Sequence, residues 1–176
     1  MKFLIASDIH GSSKSAEIII DKFDKYKCDK IILLGDILYH GPRNDLPENY
    51  NPKKVVEILN KYSDKIIAVQ GNCDAEVDQM VLDFVLSKNQ LLKVGDTNYF
   101  LTHGHQINAE NPLSSDDKLI VLHGHTHIIK KDVVKNVTYI NIGSITLPKQ
   151  DTKKCFAVLD EQGIVIYDID DNIIDI

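Results

Sequence analysis

The chain has 176 residues, of which 43% are apolar, a composition typical of one globular domain spanning residues 1–176. No apolar run reaches the roughly 18 residues of a membrane helix, and the opening MKFLIASD is too short for a leader peptide, so we expect no membrane partner. The net charge is −6 without a clustered stripe of lysine or arginine, which disfavours long nucleic acid as a partner.

Strands and helices alternate in the first part of the chain. Apolar runs rich in Ile, Leu and Val at 2–6, 30–34 and 65–70 predict parallel strands that are covered on both faces. Between the first two runs, SSKSAEIIIDKFDKYK has apolar residues at helical spacing and serines that can cap its start. Asn51 and Pro52 predict the start of a second crossover helix. This pattern is β-α-β-α-β.

A third helix is predicted over 76–86, and the remainder of the chain is rich in strands. TNYFLTHG and KLIVLHGHTH predict strands that end in histidine, and VTYINIGSI, KCFAVLD and GIVIYDID predict close-set strands with a hairpin turn at 161–163. The predicted fold class is α/β, with a parallel half followed by a mixed or antiparallel half. We expect a two-sheet β-sandwich flanked by helices.

Cysteine usage points to a reducing compartment. The three cysteines are odd in number and have no CxxC spacing, which argues against a disulfide framework and a thiolate zinc site. A cytoplasmic location is therefore expected.

Polar clusters follow five of the apolar runs. Any one of them alone is typical of turn chemistry, with aspartate capping a following helix. Ligands in α/β sheets collect beyond the carboxyl ends of strands, so the five clusters can meet in one cleft. The clusters are Asp8-Ile9-His10, Gly35-Asp36, Gly71-Asn72-Cys73-Asp74, His103-Gly104-His105 and Gly124-His125-Thr126-His127.

The donor types in these clusters predict a metal site. Carboxylates, an amide carbonyl and neutral imidazoles without thiolate suit manganese, iron or zinc better than calcium or magnesium. There are more candidate ligands than one ion needs, so we expect two ions about 3.5 to 4 Å apart, with Asp36 as the bridge. The candidate ligands are Asp8, His10, Asp36, Asn72, His103, His125 and His127.

The ordered motifs DxH, GD, GNxD, HGH and GHTH resemble those of the calcineurin-like metallophosphoesterase superfamily. Over nearly the whole chain, GDILYHGPRNDLP, GNCDAEVDQM and LTHGH are most similar to the small YfcE-type manganese-dependent phosphodiesterases. The resemblance implies a β-sandwich with a dinuclear centre, with Mn²⁺ expected and Fe, Zn or Ni as alternatives. It implies a first ion on Asp8, His10 and His127, a second on Asn72, His103 and His125, and Asp36 between them.

The implied activity is hydrolysis of small phosphodiesters, in which two ions neutralise the ester and hold a bridging water as hydroxide for in-line attack. A phosphomonoesterase and a cyclic-nucleotide phosphodiesterase are alternatives on the same site. A protein-interaction scaffold of the retromer-subunit type is disfavoured because every expected ligand is present. Relatives of this type often self-associate, which leaves a homo-oligomer, dimer or tetramer, as an open alternative to a monomer, and no stripe in the sequence identifies an interface.

Beyond the ligands, several residues are candidates for catalysis or substrate binding. Many superfamily members have histidine, thought to protonate the leaving group, where this chain has Cys73, with Asp74 behind it. A thiol is a poor acid, so good leaving groups are favoured. Arg43 either contacts a phosphate oxygen or is a solvated loop residue. His105 either faces substrate or supports the ligands, and His123 is expected to be structural.

Overall fold

The computed structural model describes residues 1–176, and its strands form two mixed sheets. The strands are β1 (Phe3–Ala6), β2 (Lys30–Leu33), β3 (Ile66–Val69), β4 (Leu86–Ser87), β5 (Gln90–Val94), β6 (Thr97–Leu101), β7 (Leu119–His123), β8 (Ile129–Val134), β9 (Val137–Ile142), β10 (Cys155–Asp160), β11 (Gly163–Asp168) and β12 (Ile173–Ile174). The first sheet has the order β12-β11-β10-β1-β2-β3-β4, and the second has the order β5-β6-β7-β9-β8.

The predicted parallel half is confirmed, because β1, β2, β3 and β4 pair in parallel. The crossover helices are α1 (Ser13–Lys25) and α2 (Pro52–Leu59). The Ser12 hydroxyl caps α1 by accepting a hydrogen bond from the Ser15 backbone N–H at 3.3 Å. Asn51 caps α2 in the same way, and Pro52 occupies its first turn as predicted.

The core lies on both faces of the first sheet, which explains the continuous apolar runs. In β1, Leu4 and Ala6 pack against the helices, whereas Phe3 and Ile5 pack between the two sheets. Side chains alternate along a strand, so a strand with two buried faces shows no polar alternation. The predicted β-sandwich is therefore confirmed.

Helices cover only the outer face of the first sheet. The outer face of the second sheet carries a small cluster built around Val121 and Tyr139, covered by the loop between β6 and β7. The Leu113 backbone N–H in this loop donates a hydrogen bond to the Tyr139 hydroxyl at 2.9 Å. A connecting loop thus replaces a second helical layer.

The prediction of a third helix over 76–86 is wrong. Only Glu76–Met80 is helical, as a short 3₁₀ helix, and Leu86 belongs to β4. The Asp78 carboxylate accepts a hydrogen bond from the Ala75 backbone N–H at 2.9 Å, which favours a tight turn over continued helix. A second 3₁₀ helix, Asn60–Lys65, follows α2 directly.

Parallel pairing brings the carboxyl ends of several strands to shared edges. β1, β2 and β3 end together in the first sheet, and β6, β7 and β9 do so in the second. The two sheets face each other across a common core, which places polar segments from both along one cleft. None of the helices has the length and apolar composition that a transmembrane span requires.

Asp171 ties the end of α1 to the turn between β11 and β12. Its carboxylate lies 2.7 Å from the Nζ atoms of both Lys22 and Lys25, and accepts a hydrogen bond from the Tyr26 hydroxyl at 2.9 Å. These contacts, with Lys22 the largest cause, lower the pKa of Asp171 to about 2.

Asp171→Asn should destabilise the fold in a pH-dependent way. Because the folded-state pKa is depressed, the contribution is present above the unfolded pKa of about 4 and is lost as pH falls towards 2. We expect a lower urea midpoint than wild type at neutral pH and a smaller difference near pH 3. Asp170→Asn, an exposed neighbour, is the control. A constant difference over this range would contradict the assignment.

Candidate metal centre

The backbone is left-handed at five of the predicted ligands, an uncommon conformation for residues other than glycine. Such strain persists where surrounding structure imposes it and concentrates at functional sites. Here it turns the chain sharply after several strands, so that side chains face the cleft. The φ values are 59° at Asp8, 50° at His10, 54° at Asp36, 72° at His125 and 62° at His127.

Two buried carboxylates and three buried imidazoles form the centre of the cluster. The Nε2 atom of His127 lies 3.2 Å from Asp8 Oδ1, and that of His10 lies 3.6 Å from the same oxygen. Asp36 Oδ2 lies 3.3 Å from His103 Nε2 and 3.7 Å from His10 Nε2. Asp36 thus contacts imidazoles from both halves of the chain.

Backbone carbonyls orient the three imidazoles. Each Nδ1 atom is within hydrogen-bond distance of a carbonyl oxygen, which can only accept, so Nδ1 carries the proton. In the neutral ring, Nε2 then presents its lone pair to the cluster, the arrangement expected of metal-ligating histidine. The pairs are His10 with Tyr39 at 2.8 Å, His103 with Leu34 at 2.7 Å and His127 with Leu147 at 2.7 Å.

These donors fit a divalent cation. His10 Nε2 and His127 Nε2 lie 3.1 Å apart, and two lone pairs at this distance need a positive charge between them. Asp8 Oδ1 is buried and accepts no hydrogen bond from any donor. Ligand atoms of Asp8, His10 and His127 lie within 4.8 Å of one another, as do those of Asp8, Asp36 and His103.

The remaining predicted ligands lie beside His103. Asn72 Oδ1 is 3.1 Å from His103 Nε2, and the ring centroid of His125 is 5.1 Å from that of His103. The His125 backbone N–H donates to Asp8 Oδ2 at 3.1 Å, which fixes the GHTH segment against β1. All seven predicted ligands therefore lie in one region.

The cluster retains positive charge through protonated imidazole. Burial alone would raise the pKa of Asp8, but the adjacent imidazoles of His10, His127 and His103 hold it well below its usual range. Burial alone would lower the pKa of His103, but the hydrogen bond with Asp36 and the charge of Asp8 raise it to about 9. Burial, with the charge of His103, lowers the pKa of His125 to about 4.

Asp74 supports the cluster from behind and does not face it. Its carboxylate accepts backbone N–H groups from Asp36 at 2.8 Å, Ile37 at 2.7 Å and Gly71 at 2.7 Å. It thereby ties the segment after β2 to the segment after β3. Gly71 is required at this junction because a Cβ atom would collide with the backbone and carboxylate of Asp36.

Three residues that were predicted to act in catalysis or substrate binding lie near the metal ligands. Cys73 Sγ lies within 4.8 Å of ligand atoms of His10 and Asp36, and burial followed by the charge of Asp36 raises the pKa of Cys73 to about 12. His105 is exposed, with its ring centroid 5.5 Å from that of His103. Arg43, exposed on the loop after β2, lines the cleft with Asp36 and Cys73.

His123, expected to be structural, lies outside the ligand groups. It is 7% exposed, and its Nδ1 atom is 3.2 Å from the Gly124 carbonyl. Burial lowers its pKa.

The segment after β9 supports the site and was not anticipated. The Ser144 hydroxyl donates to the Asp8 carbonyl at 3.1 Å, and the Thr146 hydroxyl donates to the Ile9 carbonyl at 2.9 Å. Leu147 supplies the carbonyl that orients His127, and Lys149 lines the cleft. The sequence did contain a signal for this segment. VTYINIGSI has glycine and serine near its carboxyl end, and glycine also follows the other strands that lead into the site.

Fold and donor geometry define a metallophosphoesterase, and the chain belongs to the calcineurin-like phosphoesterase superfamily, whose domain matches residues 1–163. Phosphodiesterase YfcE of Escherichia coli K12 is 38% identical over 172 residues, 97% of this chain and 94% of that protein. The structure of YfcE from E. coli matches with a TM-score of 0.94, covering 99% of this chain and 97% of that one. Probable metallophosphoesterase YsnB of Bacillus subtilis is 28% identical, covering 90% of this chain and 83% of its own. The family implies divalent metal ions.

The scaffold alternative is not better supported. Vacuolar Protein Sorting 29 from Cryptosporidium parvum shares 18% identity and a TM-score of 0.62, with 94% of this chain and 89% of that chain covered. This likeness extends to the fold alone.

Protonation of the metal-free cluster gives a direct test of its electrostatics. In chelator-treated protein, we expect His103 to keep its proton up to about pH 9 and His125 to stay neutral down to about pH 4, as measured from imidazole nitrogen shifts by NMR. Asp36→Asn should lower the His103 midpoint because it removes the adjacent charge. Metal must displace this proton, so affinity should fall with acidification. Titration of His103 near pH 6.5 would contradict the geometry.

Proposed function

We propose that this protein is a metal-dependent phosphodiesterase that hydrolyses small phosphodiesters at a dinuclear centre. The observation that carries the proposal is the buried Asp8 Oδ1, which accepts no hydrogen bond and lies beside imidazole Nε2 atoms whose Nδ1 atoms are fixed by carbonyls. This arrangement is suited to a cation, and it occurs in a chain 38% identical to phosphodiesterase YfcE. The enzyme is a phosphoric diester hydrolase.

The donor positions support two ion positions that share Asp36. Asp36 Oδ2 is close to both His10 and His103, which belong to different ligand groups. We assign the first ion to Asp8, His10 and His127, the second to Asn72, His103 and His125, and the bridge to Asp36. Imidazole and carboxylate donors favour Mn²⁺, with Fe, Zn or Ni as alternatives.

Each surrounding residue has a distinct proposed role. Bound divalent ions supply charge neutralisation at phosphorus and activation of a water nucleophile. Arg43 contacts a non-bridging phosphate oxygen, and exposed His105 faces the substrate. Asp74 is a positioning residue because backbone N–H groups occupy its carboxylate. Cys73 stays a neutral thiol near neutral pH and gives the leaving group little acid assistance.

The domain organisation, cellular location and oligomeric state are proposed from other observations. The family match over residues 1–163 supports a single functional domain across residues 1–176. Free Cys28, Cys73 and Cys155 support a reducing, cytoplasmic location. A dimer or tetramer is proposed from the behaviour of related proteins, with size-exclusion chromatography and light scattering as its test.

Histidine substitutions within one segment separate ligands from structural residues. His127→Asn should reduce bound manganese from about two ions to one or fewer and lower hydrolysis of bis(p-nitrophenyl) phosphate more than about 100-fold. His123→Asn is the matched control because it changes a buried histidine of the same segment that lies outside the ligand groups. Elemental analysis counts the ions. Equal metal loss in both variants, with unchanged melting temperatures, would contradict the ligand assignment.

Cys73→His should improve hydrolysis of esters with poor leaving groups more than that of activated aryl esters. An imidazole can protonate the departing oxygen, whereas a thiol with a pKa of about 12 cannot do so effectively. The measurement compares kcat/KM across leaving groups of graded acidity for both proteins. We expect a shallower dependence on leaving-group pKa in the variant. The same slope in both proteins would show that Cys73 is not the cause.

A further inference from the structure

Two cationic side chains line the cleft that contains the metal ligands. Arg43 comes from the loop after β2, and Lys149 comes from the segment after β9, so separate elements of the two sheets contribute them. Arg43 is the only arginine in the chain. The proposed phosphate contact uses Arg43 but leaves Lys149 without a role.

The position of Lys149 is fixed relative to a proposed metal ligand. Its backbone N–H donates to the His127 carbonyl at 3.1 Å, and its carbonyl accepts from the Thr152 hydroxyl at 2.7 Å. The next two residues, Gln150 and Asp151, are left-handed with φ values of 51° and 60°, which closes a tight turn. The exposed Lys149 side chain therefore starts from an anchored backbone at the cleft.

Neither cation is neutralised by the protein. The lysines that form ion pairs are Lys22, Lys25, Lys54, Lys130 and Lys153, and Arg43 forms none. Arg43 and Lys149 therefore both remain available to an anionic ligand in the cleft. Asp36 also lines this cleft, but its oxygens face the metal ligands and the Cys73 backbone N–H.

We propose that Lys149, which lines the cleft together with Arg43, selects phosphodiesters that carry a second anionic group, a carboxylate or a phosphate, on one esterified alcohol. This inference rests on the proposed function. A phosphodiester carries one negative charge, which the divalent ions and Arg43 already oppose. Lys149 adds a positive charge that the scissile group does not require, and a flexible ammonium suits a second oxyanion of variable position.

The test uses matched substrates with the manganese-loaded full chain. Two p-nitrophenyl phosphodiesters have glycolate or methyl glycolate as the second alcohol, so that methylation removes one carboxylate charge from an otherwise identical ester. A third substrate carries a phosphate monoester in place of the carboxylate and shows which oxyanion is preferred. We expect wild type to have a higher kcat/KM for the charged esters, and the preference to shrink with added salt.

Lys149→Gln should lower the ratio of kcat/KM values for charged and methyl-ester substrates about threefold to fivefold, chiefly through KM, as expected for an exposed ion pair. Lys61→Gln is the control. Lys61 is exposed in the 3₁₀ helix that precedes β3, whereas the cleft lies beyond the carboxyl end of β3, so the ratio should not change in this variant. An unchanged ratio in Lys149→Gln, or no preference in wild type, overturns this inference alone. Absence of hydrolysis of every diester overturns the proposed function and this inference with it.

Discussion

The site depends on the mutual stabilisation of two buried carboxylates and the imidazoles around them. Asp8 and Asp36 are nearly inaccessible to solvent, and burial of a charged group is unfavourable unless opposite charge compensates it. Without metal, protonated His103 supplies part of that charge, which is why its pKa rises to about 9. A divalent cation supplies it more completely. The same electrostatics therefore account for the histidine protonation and for the affinity of the cleft for cations.

Backbone groups fix the orientation of the carboxylates and imidazoles at the site. Carbonyl oxygens from the segments after β2 and β9 fix His10, His103 and His127, and Asp74 joins the segments that follow β2 and β3. The cleft is therefore assembled from strand ends in both sheets. A displacement of either sheet would change the ligand spacing, so the sandwich core and the chemistry are coupled through short hydrogen bonds.

Much of this arrangement could be predicted from the sequence because its signals are local. The parallel strands, both capped helices and the convergence of the motif residues follow from apolar runs that end in polar clusters. The helix expected over 76–86 failed because the Asp78 side chain closes a turn that helical periodicity cannot reveal. The short edge strands and Lys149 were missed since their positions depend on tertiary contacts: β4 pairs with β3, and Lys149 is anchored by His127.

The left-handed backbone at five ligands also constrains how the protein can change. At such positions glycine and asparagine relieve torsional strain, whereas β-branched replacements add to it. Replacement of one of these residues by glycine or asparagine would relieve torsional strain and at the same time remove a carboxylate or imidazole donor from the cleft. The backbone conformation and the metal centre therefore place different demands on the same five positions: the first favours glycine or asparagine, whereas the second requires carboxylate and imidazole donors.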